Sequence, residues 1–149
     1  MEQITDQIEK LSVKSKVNRK NLTAYWGIEI SPEVFEHEQI KSHLTAKSHL
    51  KPLEKIHSTL LYVGKKDDNP HESKFYPLEG KECTLQISRF GCSDDAMALH
   101  VDKVTHVEDQ KVVDVPTHAT QQHITMALRQ GVKPVDSVKS FDSGLITLT

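Results

Sequence analysis

Two stretches of the sequence place a histidine and a hydroxyl side chain at the start of an apolar run. The first is KIHSTLLYVG and the second is QQHITMAL. In an extended strand, residues i and i+2 point to the same face, so His57 lies beside Thr59 and His123 lies beside Thr125. The opposite faces are apolar. This predicts two strands that each present an imidazole and a hydroxyl to a cleft and pack their backs against a core.

A pair of imidazoles on one cleft suits cleavage of a phosphodiester bond without a metal ion. The reaction needs a base that removes a proton from the attacking oxygen and an acid that protonates the leaving oxygen. Histidine has an ordinary pKa of about 6.5, so near neutral pH one imidazole can be neutral while another is protonated. Hydroxyl groups can hydrogen-bond the non-bridging phosphate oxygens, which hold charge in the transition state.

The tripeptide H-x-[ST] is a weak indicator on its own, because five of the nine histidines begin one. Context separates them. His43 falls in a predicted helix, where residues i and i+2 do not share a face. His71 lies in a polar loop and His118 in a turn-like stretch. His57 and His123 open apolar strands. A core histidine satisfied by backbone is the plainer interpretation for one such site, but it is less favoured for two matched ones.

The elements around these strands alternate between strand and helix. LTAYWGIEI predicts a strand whose buried face includes Trp26. Ser31 as N-cap and Pro32 at the first helical position predict a helix over about 32–46. CTLQISRFG and MALHVDKV predict two strands joined by the turn GCSDD. A short helix after Pro134 and a closing strand, GLITLT, complete an α+β sheet domain.

The N-terminal residues show a different pattern, with apolar side chains at weakly helical spacing followed by a basic patch. The apolar positions are Ile4, Ile8, Leu11 and Val13. This predicts a short amphipathic helix or a mobile arm. The chain is therefore divided into an N-terminal helix or arm at 1–20 and one domain at 21–149.

Composition predicts a single soluble globular domain. The chain has 149 residues, 36% hydrophobic and 27% charged, with a net charge of −2, which disfavours a general binder of long nucleic acid. Two cysteines without a CxxC pair predict free thiols in a reducing compartment. We see no signal-peptide pattern and no apolar run long enough for a membrane span, so a cytoplasmic protein is expected.

On these residues the chain resembles the two-histidine (2H) phosphoesterase superfamily. That superfamily has a LigT-like fold, with one H-x-[ST]-hydrophobic motif in each of two pseudo-symmetric lobes. HSTL at 57–60 and HITM at 123–126 match the motif and lie 66 positions apart. LTAYWGIEIS looks like the opening strand of the family, and CTLQISRFGCSDDAMALHV looks like the strand pair between its motifs.

The resemblance implies a bilobal fold of two βαβ-type lobes with antiparallel sheets around a central cleft. It also implies a metal-independent phosphodiesterase without a cofactor. The residues that it implicates are His57 and His123 as the acid–base pair and Thr59 and Thr125 as phosphate clamps. Beside them, Tyr25 and Ser58 are predicted to contact the substrate.

Family members act on three kinds of substrate. These are RNA ends with a 2′,3′-cyclic phosphate, 2′–5′ oligoadenylates, and cyclic dinucleotides such as cGAMP. Activity on the first substrate would serve RNA processing. Activity on the other two would degrade a signalling nucleotide, as in immune evasion. Basic residues are few near the motifs of this chain. A short or cyclic nucleotide is therefore favoured over long duplex nucleic acid, and no membrane partner is expected.

Two further side chains border the predicted cleft. Tyr25 lies on the strand face opposite Trp26, where it can stack on a base or simply line the cleft. His100 lies opposite the apolar face of its own strand. This position predicts either a solvent-facing residue, which is favoured, or one that reaches the cleft.

Two other classes of function stay open. His118 and His123 have an H-x4-H spacing that Cys83 and Cys92 could complete as a zinc module, although neither CxxC nor HExxH occurs. The other class is a nucleotide sensor or scaffold that keeps the fold without turnover. The presence of both histidines and both threonines favours activity over this alternative.

Overall fold

A computed structural model of the chain describes residues 11–20, 25–62, 74–115, 117 and 121–148. The strands within these ranges are β1 (Leu11–Lys20), β2 (Tyr25–Ile30), β3 (Lys51–Pro52), β4 (Ile56–Tyr62), β5 (Glu82–Cys92), β6 (Ala96–Glu108), β7 (Lys111–Asp114), β8 (His123–Leu128) and β9 (Ile146–Thr147). The helices are α1 (Glu38–Ala46) and the 3-10 helices Pro32–Glu36, Tyr76–Leu78 and Pro134–Ser143.

The nine described strands form one mostly antiparallel sheet that curves like a half barrel. Its order is β3-β8-β6-β5-β1-β2-β4, with β7 added beside β6 and β9 beside β5. Strands β4 and β8 lie towards opposite ends of this order, yet they contact each other. The predicted α+β class is confirmed, and the curvature brings the two H-x-T strands together.

Strand β1 corrects the prediction of an N-terminal helix or arm. Residues 11–20 are a strand that pairs with β2 on one side and β5 on the other. Val13 and Val17 are buried while Lys14 and Lys16 are exposed, which is the period-2 pattern of a strand. The predicted helix is therefore wrong for 11–20, which belongs to the sheet. Residues 1–10 lie outside the described residues.

Strand β2 and the segment after it follow the prediction closely. Trp26 and Ile28 are fully buried and Glu29 is exposed, as the alternation requires. The Ser31 hydroxyl accepts a hydrogen bond from the Glu33 amide and so caps the following turn. The predicted single helix is divided at His37, because this residue adopts an extended backbone conformation and caps α1 in its turn.

The 3-10 helix Pro134–Ser143 packs on the sheet over a row of small side chains. Gly91 lies opposite Ala98, and Ala98 lies opposite Thr125, on three adjacent strands. A Cβ atom at Gly91 would lie 2.7 Å from the Phe141 ring and 2.8 Å from the Ser140 carbonyl carbon. Glycine is therefore required there for the helix to approach, and this helix forms one wall of the site described below.

The core lies on the other face of the sheet. Trp26 and Phe75 stack there with ring centroids 5.9 Å apart, and Leu60, Leu99 and Ile124 are fully buried. Within the described ranges, no helix is long and apolar enough to cross a membrane.

The two cysteines are free thiols, as the sequence predicts. They lie at opposite parts of β5, nine residues apart, which places their Cα atoms about 30 Å from each other. This separation excludes a disulfide between them. Burial raises the pKa of the Cys83 thiol to about 11, and burial also raises the pKa of the half-buried Cys92.

We predict that the two thiols of the folded protein differ in reactivity. The thiolate is the reacting form, and Cys83 is both 1% exposed and the thiol with the strongly raised pKa. At pH 8.5, iodoacetamide should modify Cys92 at least ~10-fold faster than Cys83, as measured by peptide mass spectrometry. In urea the two rates should converge. Equal rates in the folded protein would contradict the burial described here.

Candidate active site

Strand β4 presents the first motif with the predicted alternation. Ile56 and Leu60 are buried, whereas His57 is exposed and Thr59 is half-buried. The imidazole and the threonine hydroxyl therefore share the face that is turned away from the core, because residues i and i+2 of a strand point the same way.

Strand β8 presents the second motif in the same manner. Ile124 and Met126 are fully buried, and His123 is half-buried on the other face. The Nδ1 atom of His123 lies 2.9 Å from the Gln121 carbonyl oxygen. A carbonyl only accepts, so this nitrogen carries the hydrogen and donates it. The Nε2 atom is then the nitrogen that His123 presents to a ligand.

Side chains rather than a backbone ladder join β4 to β8. The Ser58 hydroxyl donates to the His123 carbonyl oxygen at 3.0 Å. The Gln122 amide donates to the Ser58 hydroxyl at 2.5 Å and to the Thr59 carbonyl oxygen at 2.6 Å. Ser58 and Gln122 alternate with His57 and His123 along the chain. The side chains of Ser58 and Gln122 meet on the core side. The imidazoles of His57 and His123 are therefore on the other side of the junction.

This position corrects the substrate contact predicted for Ser58. Its side chain is fully buried and its hydroxyl bonds within the protein, so that prediction is wrong. Ser58 instead holds the two motif strands together. Gln122, its partner, was missed by the sequence analysis. The available signal was a polar residue beside each motif histidine, at a position that alternation assigns to the core face.

Tyr25 packs directly on the first histidine. The ring centroids of Tyr25 and His57 are 5.0 Å apart and the rings are inclined by 26°, a stacked arrangement. Gly27, opposite Thr59 in the neighbouring strand, leaves space for this ring. A Cβ atom at Gly27 would lie 2.8 Å from Cε2 of Tyr25 and 3.0 Å from the Ser58 carbonyl oxygen. Tyr25 thus covers one side of the His57 ring.

Thr125 lies on the predicted face but under the 3-10 helix Pro134–Ser143. Its side chain is 8% exposed, and its hydroxyl shares a 2.7 Å hydrogen bond with the buried Ser137 hydroxyl. The Pro134 carbonyl oxygen is a second, longer contact at 3.4 Å. The two motifs therefore differ, because Thr59 is half-buried whereas Thr125 is buried and bonds to the 3-10 helix.

His100 lies next to the second motif and is partly buried rather than fully solvent-facing. It is the cross-strand neighbour of His123, and its side chain is 22% exposed. Its Nδ1 donates to the Asp102 carboxylate at 3.0 Å, and its ring meets the Phe141 ring edge-on. As a direct cross-strand neighbour, His100 shares the sheet face of His123.

The zinc module suggested by spacing finds no geometric support in the described part of the chain. No group of three or more histidine, cysteine or acidic side chains is arranged there to hold a metal ion. Cys83 and Cys92 are too far apart to act together. His118, the remaining member of that set, lies outside the described residues.

Comparisons with known proteins give no relative from which to read a function. No protein-family model matches the chain, and neither a curated protein nor a solved structure does so.

We predict that Ser58→Ala weakens the junction between β4 and β8. The change leaves the His123 carbonyl and the Gln122 amide without this partner, which should lower the free energy of unfolding by about 1–3 kcal/mol. Urea unfolding measures the loss. Ser140→Ala is the matched control, because the Ser140 hydroxyl is buried without a hydrogen-bond partner in the described structure. A loss no greater than that of the control would contradict the role given to Ser58.

A second prediction concerns Thr125. Thr125→Val keeps the shape of the side chain but leaves the Ser137 hydroxyl buried without this partner, so unfolding free energy should fall by roughly 1 kcal/mol. Thr59→Val, at the half-buried equivalent position, should cost less. The double variant Thr125→Val/Ser137→Ala should recover part of the loss, since both partners are then removed. Additive losses in this double-mutant cycle would show that the two hydroxyls are not coupled.

Proposed function

We propose that this protein is a metal-independent phosphodiesterase of the two-histidine type. It cleaves 2′–5′ or 2′,3′-cyclic phosphodiester linkages of small nucleotides. His57 and His123 exchange the protons of the reaction across one cleft.

One observation carries the proposal. The hydrogen bonds from Ser58 and Gln122 join the core sides of β4 and β8, so both imidazoles face the same side of the junction. An acid and a base must act on opposite oxygens of one phosphate, and two histidines on the same side of two joined strands are suited to that task. The motif resemblance adds support, and the proposed fold is two lobes, each built around one motif strand.

The chemistry divides between the two imidazoles. One, in the neutral form, takes the proton from the attacking hydroxyl or water as the new P–O bond forms. The other, in the protonated form, gives its proton to the leaving oxygen as the old P–O bond breaks. The Gln121 carbonyl fixes His123 with Nε2 towards the ligand. Thr59 supplies a hydroxyl for a non-bridging phosphate oxygen, and Tyr25 offers its ring as a stacking surface for a base.

The role of Thr125 is narrower than the resemblance implies. Because its hydroxyl is engaged with Ser137, it holds the 3-10 helix beside His123. Contact with phosphate would require this bond to be shared or broken. The asymmetry favours Thr59 as the principal phosphate clamp.

The same asymmetry favours a second candidate function. A nucleotide sensor needs the cleft and its aromatic wall but not two equivalent hydroxyls, so a buried Thr125 is compatible with binding without turnover. Incubation with nucleotides separates the two functions, because a sensor returns its ligand unchanged.

Single substitutions of the two histidines test the proposed function. His57→Ala and His123→Ala should each lower kcat/KM by at least ~10²-fold, the scale of general acid–base assistance, while circular dichroism stays unchanged. His49→Ala, an exposed histidine on another part of the surface, is the control. The rate should pass through a maximum with pH, since one imidazole must be neutral and the other protonated, and EDTA should have no effect. Unchanged turnover in either variant would refute the assignment.

The substrate is identified by mass spectrometry of products. The panel consists of 2′,3′-cyclic nucleotides, 2′–5′ oligoadenylate and mixed-linkage cyclic dinucleotides, each incubated with chelator-treated protein. Cleavage of one class by wild type and not by the double variant His57→Ala/His123→Ala names the linkage. Intact substrates throughout, with folded protein, would favour the sensor.

A further inference from the structure

A row of nitrogen-bearing side chains begins at His123 in the candidate active site and runs from there across the sheet. The register places His123 of β8 opposite His100 of β6, and His100 opposite Arg89 of β5. Directly opposed residues of antiparallel strands point to the same face. Neighbouring strands are about 4.8 Å apart, so the backbone of Arg89 lies roughly 10 Å from that of His123.

One carboxylate organises the far end of this row. Asp102 accepts a hydrogen bond from Nδ1 of His100 at 3.0 Å and another from the Ser88 hydroxyl at 2.6 Å. An irregularity of β5 between Ile87 and Arg89 accompanies this arrangement. The Nδ1 atom of His100 is thus committed to Asp102, and Nε2 is the nitrogen that His100 presents to a ligand.

Arg89 is held only loosely. Its Nη2 atom lies 3.8 Å from Asp102 Oδ1, which is longer than a hydrogen bond, and its side chain is 43% exposed. A guanidinium has five N–H donors, and among the described residues this one long contact does not use them up. Arg89 is therefore suited to bind an oxyanion beside His100. Bidentate Arg–phosphate pairs are among the stronger charge-assisted contacts.

We propose that Arg89 and His100 form a second anion subsite, which binds a phosphate other than the one cleaved between His57 and His123. This inference rests on the proposed function and specifies its substrate. The site would prefer a nucleotide with at least two phosphates, such as a cyclic dinucleotide or a short oligonucleotide, to a mononucleoside 2′,3′-cyclic phosphate. Asp102 sets the orientation of both groups and offsets part of their charge, which suits a reversible contact.

The test measures binding and cleavage of two probes that differ by one phosphate. They are 2′–5′-linked ApA and its 5′-phosphorylated form pApA. Wild type should bind pApA more tightly than ApA. Arg89→Gln and His100→Gln should each weaken pApA binding about tenfold and leave ApA binding unchanged, as expected for loss of one charge-assisted contact. Arg129→Gln is the control, because Arg129 is an exposed arginine paired with Asp95 at 2.8 Å outside this row.

Failure of the subsite and failure of the proposed function give different results. If wild type cleaves both probes and binds them with equal affinity, and Arg89→Gln changes neither affinity, the phosphodiesterase is retained and the subsite is overturned. Tighter binding of pApA through Arg89 without cleavage of either probe would retain the subsite and overturn the phosphodiesterase. A pApA preference that Arg129→Gln abolishes as fully as Arg89→Gln, or no binding of either probe, also overturns the subsite.

Discussion

The hydrogen bonds between β4 and β8 are the constraint on which the site depends. The two strands come from distant parts of the sheet order and meet without a backbone ladder between them. The Ser58 hydroxyl and the Gln122 amide replace that ladder with three contacts, two of them to backbone carbonyls. Buried polar groups are costly unless they are paired, so these contacts fix the strands relative to each other. The position of His57 and His123 on the same side of the sheet follows from this junction.

Each of the two motif strands is bordered by a different structural element. On one side the Tyr25 ring stacks on His57, and this is possible because Gly27 has no side chain. On the other side the 3-10 helix Pro134–Ser143 is seated on small residues and bonded to Thr125 through Ser137. Along the row from His123 to Arg89, the side chain of His100 is 22% exposed and that of Arg89 is 43% exposed. The surroundings of the two motif histidines are therefore asymmetric.

The sequence predicted those features that repeat along one strand. Alternation identified the buried face of β2 and the shared faces of His57 with Thr59 and of His123 with Thr125. It failed in β1 because Ile4, Ile8 and Leu11 are four and three residues apart, a spacing that fits successive turns of a helix, and this pattern was extended to Val13. The period-2 exposure of the lysines between Val13 and Val17 was the better indicator.

The features that the sequence missed depend on partners distant in the chain. Ser58 carries a hydroxyl next to a histidine, which suggested the cleft, yet its partners Gln122 and His123 lie more than sixty positions away. Thr125 was expected to be free because the helix that covers it begins nine residues later and its approach depends on Gly91. Propensity and periodicity describe local order, whereas these contacts are set by how the sheet curves.

The central claim is that His57 and His123 face one ligand, and histidine-labelled NMR tests it most directly. Adenosine 2′-monophosphate, a product of the proposed cleavage, is titrated into protein with 15N-labelled histidines. The account predicts that the imidazole signals of His57 and His123 shift together with one common Kd, while that of His49 does not move. A ligand that perturbs only one of the two histidines, or perturbs them with different Kd values, would contradict a shared site.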